Sequence, residues 1–207
     1  ELAVALALAS TRHLDLYARN MPTGSWRNDF TTSLADRHVL IIGYGRIGAA
    51  IEQRLAGFEL GSITRVARRA RSGDVPVEPI ENLHSLLPQA EVVFVITPLT
   101  PSTEHLIGAA ELALLPDGAL VVNVARGKVV DTEALLAETR SGRIRAALDV
   151  TDPEPLPADH GLWRTPGVLI SPHVGGQSSA FWPRMERMVR GQLTRFAAGE
   201  PLLNVVA

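Results

Sequence analysis

The 207-residue sequence contains no cysteine. That absence excludes disulfides, thiolate nucleophiles and cysteine-ligated metals, and it accords with a cytoplasmic protein. Charge is nearly balanced, at a formal net of -2, which leaves no electrostatic case for binding nucleic acid or an acidic membrane. Long apolar runs are also missing. The apolar start, Glu1 to Ser10, lacks the basic flank of a signal peptide and is too short to span a bilayer. It suits a buried helix better, with Leu2, Leu6 and Leu8 among alanines. Histidines number six, and His13, His38, His84, His105 and His160 pair nowhere at metal-ligand spacing, so no metal is expected. No internal repeat or low-complexity tract interrupts a composition that is 46% apolar and 20% charged, ordinary for a globular protein with a core.

What is present begins with Val39-Leu40-Ile41-Ile42-Gly43-Tyr44-Gly45-Arg46-Ile47-Gly48. A β-branched apolar run stops at a glycine cluster and a helical pattern follows at once. This is the strand–turn–helix setting in which G-x-G-x-x-G binds a dinucleotide. Gly43 permits the tight turn, Gly45 lets backbone approach a pyrophosphate, and Gly48 lets the helix pack on the strand. The helix start then offers unpaired N–H groups to phosphate.

From Val39 onward short apolar runs alternate with helical segments. Strands are expected at 39–42, 62–67, 91–96, 119–124, 145–149 and 168–171. Helices are expected at 1–19, 46–57, 80–86, 104–115, 131–140 and 178–198, with a loop or extended arm over 20–33. Such alternation predicts an α/β fold, a Rossmann-type doubly wound parallel sheet with helices on both faces. Ligands of these sheets gather at the carboxyl ends of the strands. The unusual polar residues do follow strands: Thr97-Pro98, then Arg126, then Asp149 and Glu154, then His173. A surface arginine, solvated carboxylates and a structural histidine would each account for one of these alone. Together, beside a dinucleotide turn, they supply what hydride transfer to a carbonyl requires. An imidazolium protonates the developing alkoxide, a carboxylate orients that ring, and an arginine grips an anionic substrate.

These residues resemble the D-isomer-specific 2-hydroxyacid dehydrogenases over nearly the whole chain. The similar features are Gly24-x-Trp26, the Gly43–Gly48 fingerprint, Thr97-Pro98-Leu99-Thr100 with Thr103, and Val124-Ala125-Arg126-Gly127. Leu148-Asp149-Val150, Glu154-Pro155 and Pro172-His173-Val174-Gly175-Gly176 complete them. The resemblance implies that Arg126, Glu154 and His173 form the catalytic triad. His173 is then the acid for reduction and the base for oxidation, Glu154 its partner, and Arg126 the substrate carboxylate's ligand. It also implies that Asp149 contacts the nicotinamide carboxamide and that Arg46 and Ile47 meet the pyrophosphate. Thr97, Pro98 and Thr103 line the cofactor groove, and Val124, Ala125, Gly175 and Gly176 border it. Trp182 either walls the nicotinamide side of the cleft or serves helix–sheet packing.

Two departures from the family pattern carry information. The usual acidic residue after the second strand, which binds the adenosine ribose, is replaced by Ala67, with Arg68 and Arg69 following. A carboxylate repels a 2′-phosphate, whereas an arginine pair binds one, so NADP(H) is the expected cofactor and NAD(H) the alternative. Members with a similar Ala-Arg-Arg segment tend to be NADPH-dependent glyoxylate, hydroxypyruvate or ketogluconate reductases. The second departure is at the front, where the family carries an N-terminal stretch forming most of a separate substrate domain. The sequence here is expected to be the dinucleotide-binding domain alone. In that reading 1–33 is an interdomain and dimerisation helix and arm, 34–176 the Rossmann core and 177–207 a C-terminal helix and tail, ending in the family-like Glu200–Val206. The expected partners are a small 2-keto or 2-hydroxy acid and a second copy of the chain, with Leu2, Leu6 and Trp26 needing cover. An NAD-linked member of the family stays open. So does a dinucleotide-sensing, corepressor-like interaction protein on the same fold. Formate dehydrogenases fit less well, because they carry Gln where Glu154 stands.

Overall fold

A computed structural model describes residues 1–205, so Val206 of the family-like C-terminal segment lies outside the described residues. Two units are present, Glu1–His173 and Val174–Ala207.

The first unit is built on a seven-stranded parallel sheet. Its strands are β1 (His38–Ile42), β2 (Ser62–Ala67), β3 (Glu78–Pro79), β4 (Val92–Val95), β5 (Leu120–Asn123), β6 (Arg145–Leu148) and β7 (Val168–Ile170). They lie in the order β3-β2-β1-β4-β5-β6-β7, which places the topological switch between β1 and β4. Both faces of the sheet are covered, so the central strands are apolar without a break. Alternate residues then supply two separate cores. Val39, Ile41, Phe94 and Val122 pack on one face with Ile51 and Leu55 of α3 (Arg46–Leu55) and Ala3, Leu6 and Ala7 of α1 (Leu2–Thr11). Leu40, Ile42, Val95 and Val121 pack on the other face. There they meet Leu83 of α4 (Leu83–Leu86), Leu112 of α5 (Ala109–Leu114), and Leu135 and Leu136 of α6 (Thr132–Arg140).

Several expected elements differ. The helix expected over 1–19 is two helices, α1 and α2 (Leu14–Asn20), because His13 adopts a left-handed conformation (φ 56°) between them. Leu6 is covered by the chain's own sheet and needs no second copy, whereas Trp26 of the arm is 94% exposed. The helix expected over 104–115 is confined to α5. His105, left-handed at φ 51°, and Ile107 donate their N–H groups to the carbonyls of Lys128 and Val129, and Ile107 forms an isolated parallel bridge with Val130, so the segment before α5 is not helical. The 80–86 helix is a 3₁₀ turn over Ile80–Asn82 followed by the single-turn α4. β3 was not foreseen. Two residues leave no periodicity to read, and Pro79, lacking an N–H, is tolerated because the strand is at the sheet edge.

The second unit contains α7 (Phe181–Ala197) and a tail that folds back on it. Gln192 exchanges two hydrogen bonds with the backbone of Leu203, and Arg195 donates to the carbonyl of Pro201. Trp182 stacks edge to face on Phe181 at 5.2 Å.

Candidate active site

The sheet register aligns the carboxyl ends of the strands. Ile42 pairs with Val66 and Val95, Val95 with Asn123, Asn123 with Leu148, and Leu148 with Ile170. Residues a few positions beyond these partners therefore emerge at one edge. They are Gly43, Ala67 to Arg69, Thr97, Arg126, Asp149, Glu154 and His173.

The glycine turn is held by two N–H groups, those of Gly43 and Tyr44, which both donate to the carbonyl of Val66 at 2.8 Å. Its three glycines answer three different demands. Gly43 has φ +98°, and a Cβ there would sit 2.7 Å from the backbone N of Thr97. A Cβ on Gly48 would press on Tyr44 and on Ile41 of the strand behind, at 3.1 and 3.2 Å. Gly45 is different: the nearest atom to its Cβ position is a carbonyl at 4.0 Å. Among the described residues nothing requires glycine there, and the turn is open on that side. Gly45 caps α3, whose first residues Arg46 and Ile47 are exposed with their helix-start N–H groups unpaired by any side chain. A phosphate fits that cradle.

Ala67 ends β2, and Arg68 and Arg69 follow it into solvent with no hydrogen-bond or ion-pair partner among the described residues. The neighbouring arginines are committed elsewhere. Arg65 forms a bidentate pair with Glu52, Nε lying 2.8 Å from the carboxylate, and Arg71 donates to the carbonyl of Tyr44. The Tyr44 hydroxyl donates to Glu52 at 2.6 Å. That network holds the Glu52 carboxyl below its ordinary value, chiefly through Arg65. Burial, followed by the bond to Glu52, raises that of Tyr44.

His173 Nδ1 lies 2.5 Å from Glu154 Oε1, both side chains being partly exposed. The His173 backbone is left-handed (φ 53°), a conformation disfavoured for a residue with a Cβ. Its N–H fixes that geometry by donating to the carbonyls of Asp149 and Ser171 at 2.8 and 3.1 Å. Asp149 is buried and accepts the Ser171 hydroxyl at 2.5 Å. A cavity of about 220 Å³ opens beside these groups, lined by Asp149, Glu154, Pro155, Trp163, Ser171 and His173.

Arg126 stands exposed on the loop after β5, donating to its neighbour's carbonyl at 2.6 Å. That loop is pressed against the one after β6. A Cβ on Gly127 would fall 1.9 Å from the carbonyl oxygen of Thr151, so the Arg126 and Glu154 loops touch through backbone. Val124 and the buried Ala125 form the floor leading to Arg126. Thr97 is buried and donates to the carbonyl of Ile42 at 3.2 Å. Thr103 is turned inward on its own loop, its hydroxyl donating to the carbonyl of Pro98 at 2.6 Å and accepting the Thr100 N–H. Gly175 and Gly176 follow His173 in an exposed turn that begins the second unit.

Two residues not foreseen as functional support this edge. Asn123 uses its side-chain carbonyl for the Ala125 N–H and its NH₂ for the carbonyl of Arg126, bracketing the arginine loop. Ser171 orients Asp149. An amide closing an apolar strand was the available signal for Asn123; a serine before a proline carries none.

Comparison with known proteins accords with this layout. Residues 4–175 match the family described as D-isomer specific 2-hydroxyacid dehydrogenase, NAD binding domain. The chain is 36% identical over 183 residues to glyoxylate/hydroxypyruvate reductase B of Citrobacter koseri, covering 84% of this chain and 56% of that protein. It is 34% identical over 214 residues to a glyoxylate reductase of Pyrococcus horikoshii, covering 97% and 63%. Among solved structures, a D-isomer specific 2-hydroxyacid dehydrogenase from Xanthobacter autotrophicus Py2, crystallised with NADPH and MES, superimposes with a TM-score of 0.84 at 35% identity. The match covers 99% of this chain and 84% of that one. The chain thus spans less than two thirds of the length of these curated relatives. It belongs to the D-isomer-specific 2-hydroxyacid dehydrogenase family, of which it carries the NAD-binding domain.

Proposed function

We propose that this protein transfers hydride between NADP(H) and a small 2-keto acid, interconverting it with the D-2-hydroxy acid. The observation that carries the reading is the His173–Glu154 pair at 2.5 Å on the same sheet edge as the Gly43–Gly48 turn. When bound, the nicotinamide supplies the hydride. The chain's residues do the rest. Glu154 holds Nδ1, leaving Nε2 of His173 to give a proton to the carbonyl oxygen as it becomes an alkoxide, or to take one in the reverse direction. Arg126 binds the substrate carboxylate through its planar fork. Asp149, oriented by Ser171, receives the nicotinamide carboxamide. Thr97, Pro98, Val124 and Ala125 border the groove, while Gly45, Arg46 and Ile47 meet the pyrophosphate.

The cofactor preference rests on Ala67, Arg68 and Arg69. With Ala67 in place of a carboxylate that would hold ribose hydroxyls, and with two guanidinium groups beside it that have no partner among the described residues, the end of β2 suits a 2′-phosphate. The NADPH complex of the Xanthobacter relative and the reductases named above support NADPH-linked reduction of glyoxylate or hydroxypyruvate. We further infer a two-fold homodimer closed through the exposed arm around Trp26.

Two variants of the full-length protein test this. His173→Ala is expected to lower keto-acid reduction by roughly a hundredfold or more, the usual worth of a positioned acid, with NADPH affinity retained. Arg68→Ala is expected to weaken NADPH binding by about tenfold or more and leave NADH binding nearly unchanged, as loss of one charged hydrogen bond implies. Native affinity for NADH above that for NADPH would make the protein an NAD-linked member instead.

A further inference from the structure

The opposite edge of the sheet, where the strands begin, holds a second polar cavity of about 230 Å³. It lies between the start of β5 and β6 and the end of α1, and it shares no residue with the cleft around His173. Arg145 and Leu148 are the two ends of β6, so the strand itself separates the two sites.

Arg145 reaches this cavity half-buried, and its guanidinium has no hydrogen bond or ion pair among the described residues. Ser10, only 1% exposed, also borders the cavity, and its hydroxyl is buried with no hydrogen-bond partner among the described residues. A desolvated cation and a buried hydroxyl, both unsatisfied, are each unfavourable alone. Arg145 and Ser10 border the same cavity, and both are hydrogen-bond donors.

The other charges at the site do not satisfy Arg145. Glu91 is taken by Arg37 and by the backbone N–H of His38. Asp117, with its side chain 88% exposed, faces solvent 3.9 Å from Arg143. Asp15, the carboxylate acting on Arg145 from α2, is bonded to Arg19 at 2.7 Å. Burial depresses the Arg145 guanidinium's affinity for its proton, and Arg145 in turn opposes charging of the nearby His13, itself lowered first by burial.

We propose that this cavity is a binding site for a small oxyanion, of the carboxylate or phosphate class, gripped by the Arg145 fork and the Ser10 hydroxyl. The planar guanidinium matches two oxygens of such an ion, and the hydroxyl serves an oxygen directed inward. This site is independent of the reading given for the carboxyl-edge cleft.

Acetate and inorganic phosphate, titrated at constant ionic strength against a chloride control, test the proposal by calorimetry and thermal unfolding. Saturating NADPH occupies the cofactor groove, and Arg126→Ala removes the cation at the other edge. At least one of the two ions is expected to bind and raise the Tm of the wild type and of Arg126→Ala alike. Binding to Arg145→Met should be at least tenfold weaker, and Ser10→Ala should weaken it severalfold. Without added anion, Arg145→Met should be no less stable than wild type, because it removes a half-buried charge that has no partner among the described residues. Should Arg145→Met fail to fold, Ser10→Ala carries the comparison. Equal anion stabilisation of wild type and Arg145→Met, loss of binding in Arg126→Ala, or no binding to wild type overturns the proposal. A wild-type dimer that takes up no anion and is dissociated by Arg145→Met also overturns it, by assigning the acceptor to a second copy of the chain.

Discussion

Asn123 illustrates how one side chain can set the position of another. It closes an apolar strand at 1% exposure, and its amide spans from the Ala125 N–H to the Arg126 carbonyl. Replacing it with leucine strands the buried Ala125 N–H, at a cost of about 1–3 kcal/mol, while the Arg126 carbonyl keeps the Val129 N–H. Asn123→Leu is therefore expected to lower the unfolding free energy and release the Arg126 loop. Steady-state kinetics on the full-length protein should show KM for the keto acid rising about tenfold, the size expected for losing a charged contact, while NADPH affinity stays near wild type. Unchanged KM would separate Asn123 from Arg126. His173 presents a related economy: its left-handed backbone is held by N–H bonds to Asp149 and Ser171, so the imidazole is aimed by the main chain before Glu154 touches it. Arg126, Asp149, Glu154 and His173 were legible beforehand as candidates, whereas Asn123 and Ser171 were not. Nor were the bonds that orient the candidates, because an amide or a hydroxyl acquires a partner only when two loops meet.

Among the elements, the β1–turn–α3 unit carries the most specific expectation. Gly43 and Gly48 are required by the chain's own backbone and packing, whereas Gly45 faces open space. Gly45→Val should fold with a melting temperature near wild type, yet lose measurable NADPH binding by calorimetry, because the side chain fills the space the pyrophosphate needs. A strongly destabilised Gly45→Val would mean the glycine serves the fold instead. Beside the turn, Glu52 of α3 ties Arg65 of β2 to Tyr44. The folded-state pKa of Glu52 is depressed, so its contribution is present above the unfolded carboxyl value, near 4.5, and is lost as pH falls through the lower folded value. Glu52→Gln should accordingly destabilise the protein at pH 7, by about 1–3 kcal/mol for a charged hydrogen bond. Denaturant titrations should show the gap closing below about pH 4. A gap that persists at pH 3 would assign the effect to packing.

For the whole molecule, the question is what the first unit leaves uncovered. Ala3, Leu6 and Ala7 of α1 are buried against the sheet with Val39, Phe94 and Val122, while Leu2 and Leu8 are only partly buried. Trp26, Met21 and Phe30 remain exposed along the arm. Light scattering of the protein at tens of micromolar should report a dimer, and Trp26→Ala should weaken it. A monomer at that concentration counts against the proposed assembly. The chain spans 56% and 63% of the two reductases cited above. The same preparation, assayed alone, should bind NADPH but turn over glyoxylate or hydroxypyruvate negligibly. Closure that positions substrate and excludes water is a large part of the acceleration in such clefts. Turnover at the rate of a complete reductase would place the whole active site within these residues.

The amino-acid order by itself determined the alternation of strand and helix, the glycine turn, the parallel sheet and the strand ends on which Arg126, Asp149, Glu154 and His173 lie. Those features follow from local periodicity and from φ angles open mainly to glycine, both carried by neighbouring residues. Tertiary structure alone decided the rest. It broke the first helix at His13, turned Thr103 inward, paired Ile107 with Val129 and brought the Gly127 backbone against Thr151. It also left Arg145 and Ser10 unsatisfied at the far edge. Each of these depends on contacts between segments distant in sequence, where a backbone or side-chain group takes whichever partner the packed sheet presents, and no local pattern records that choice.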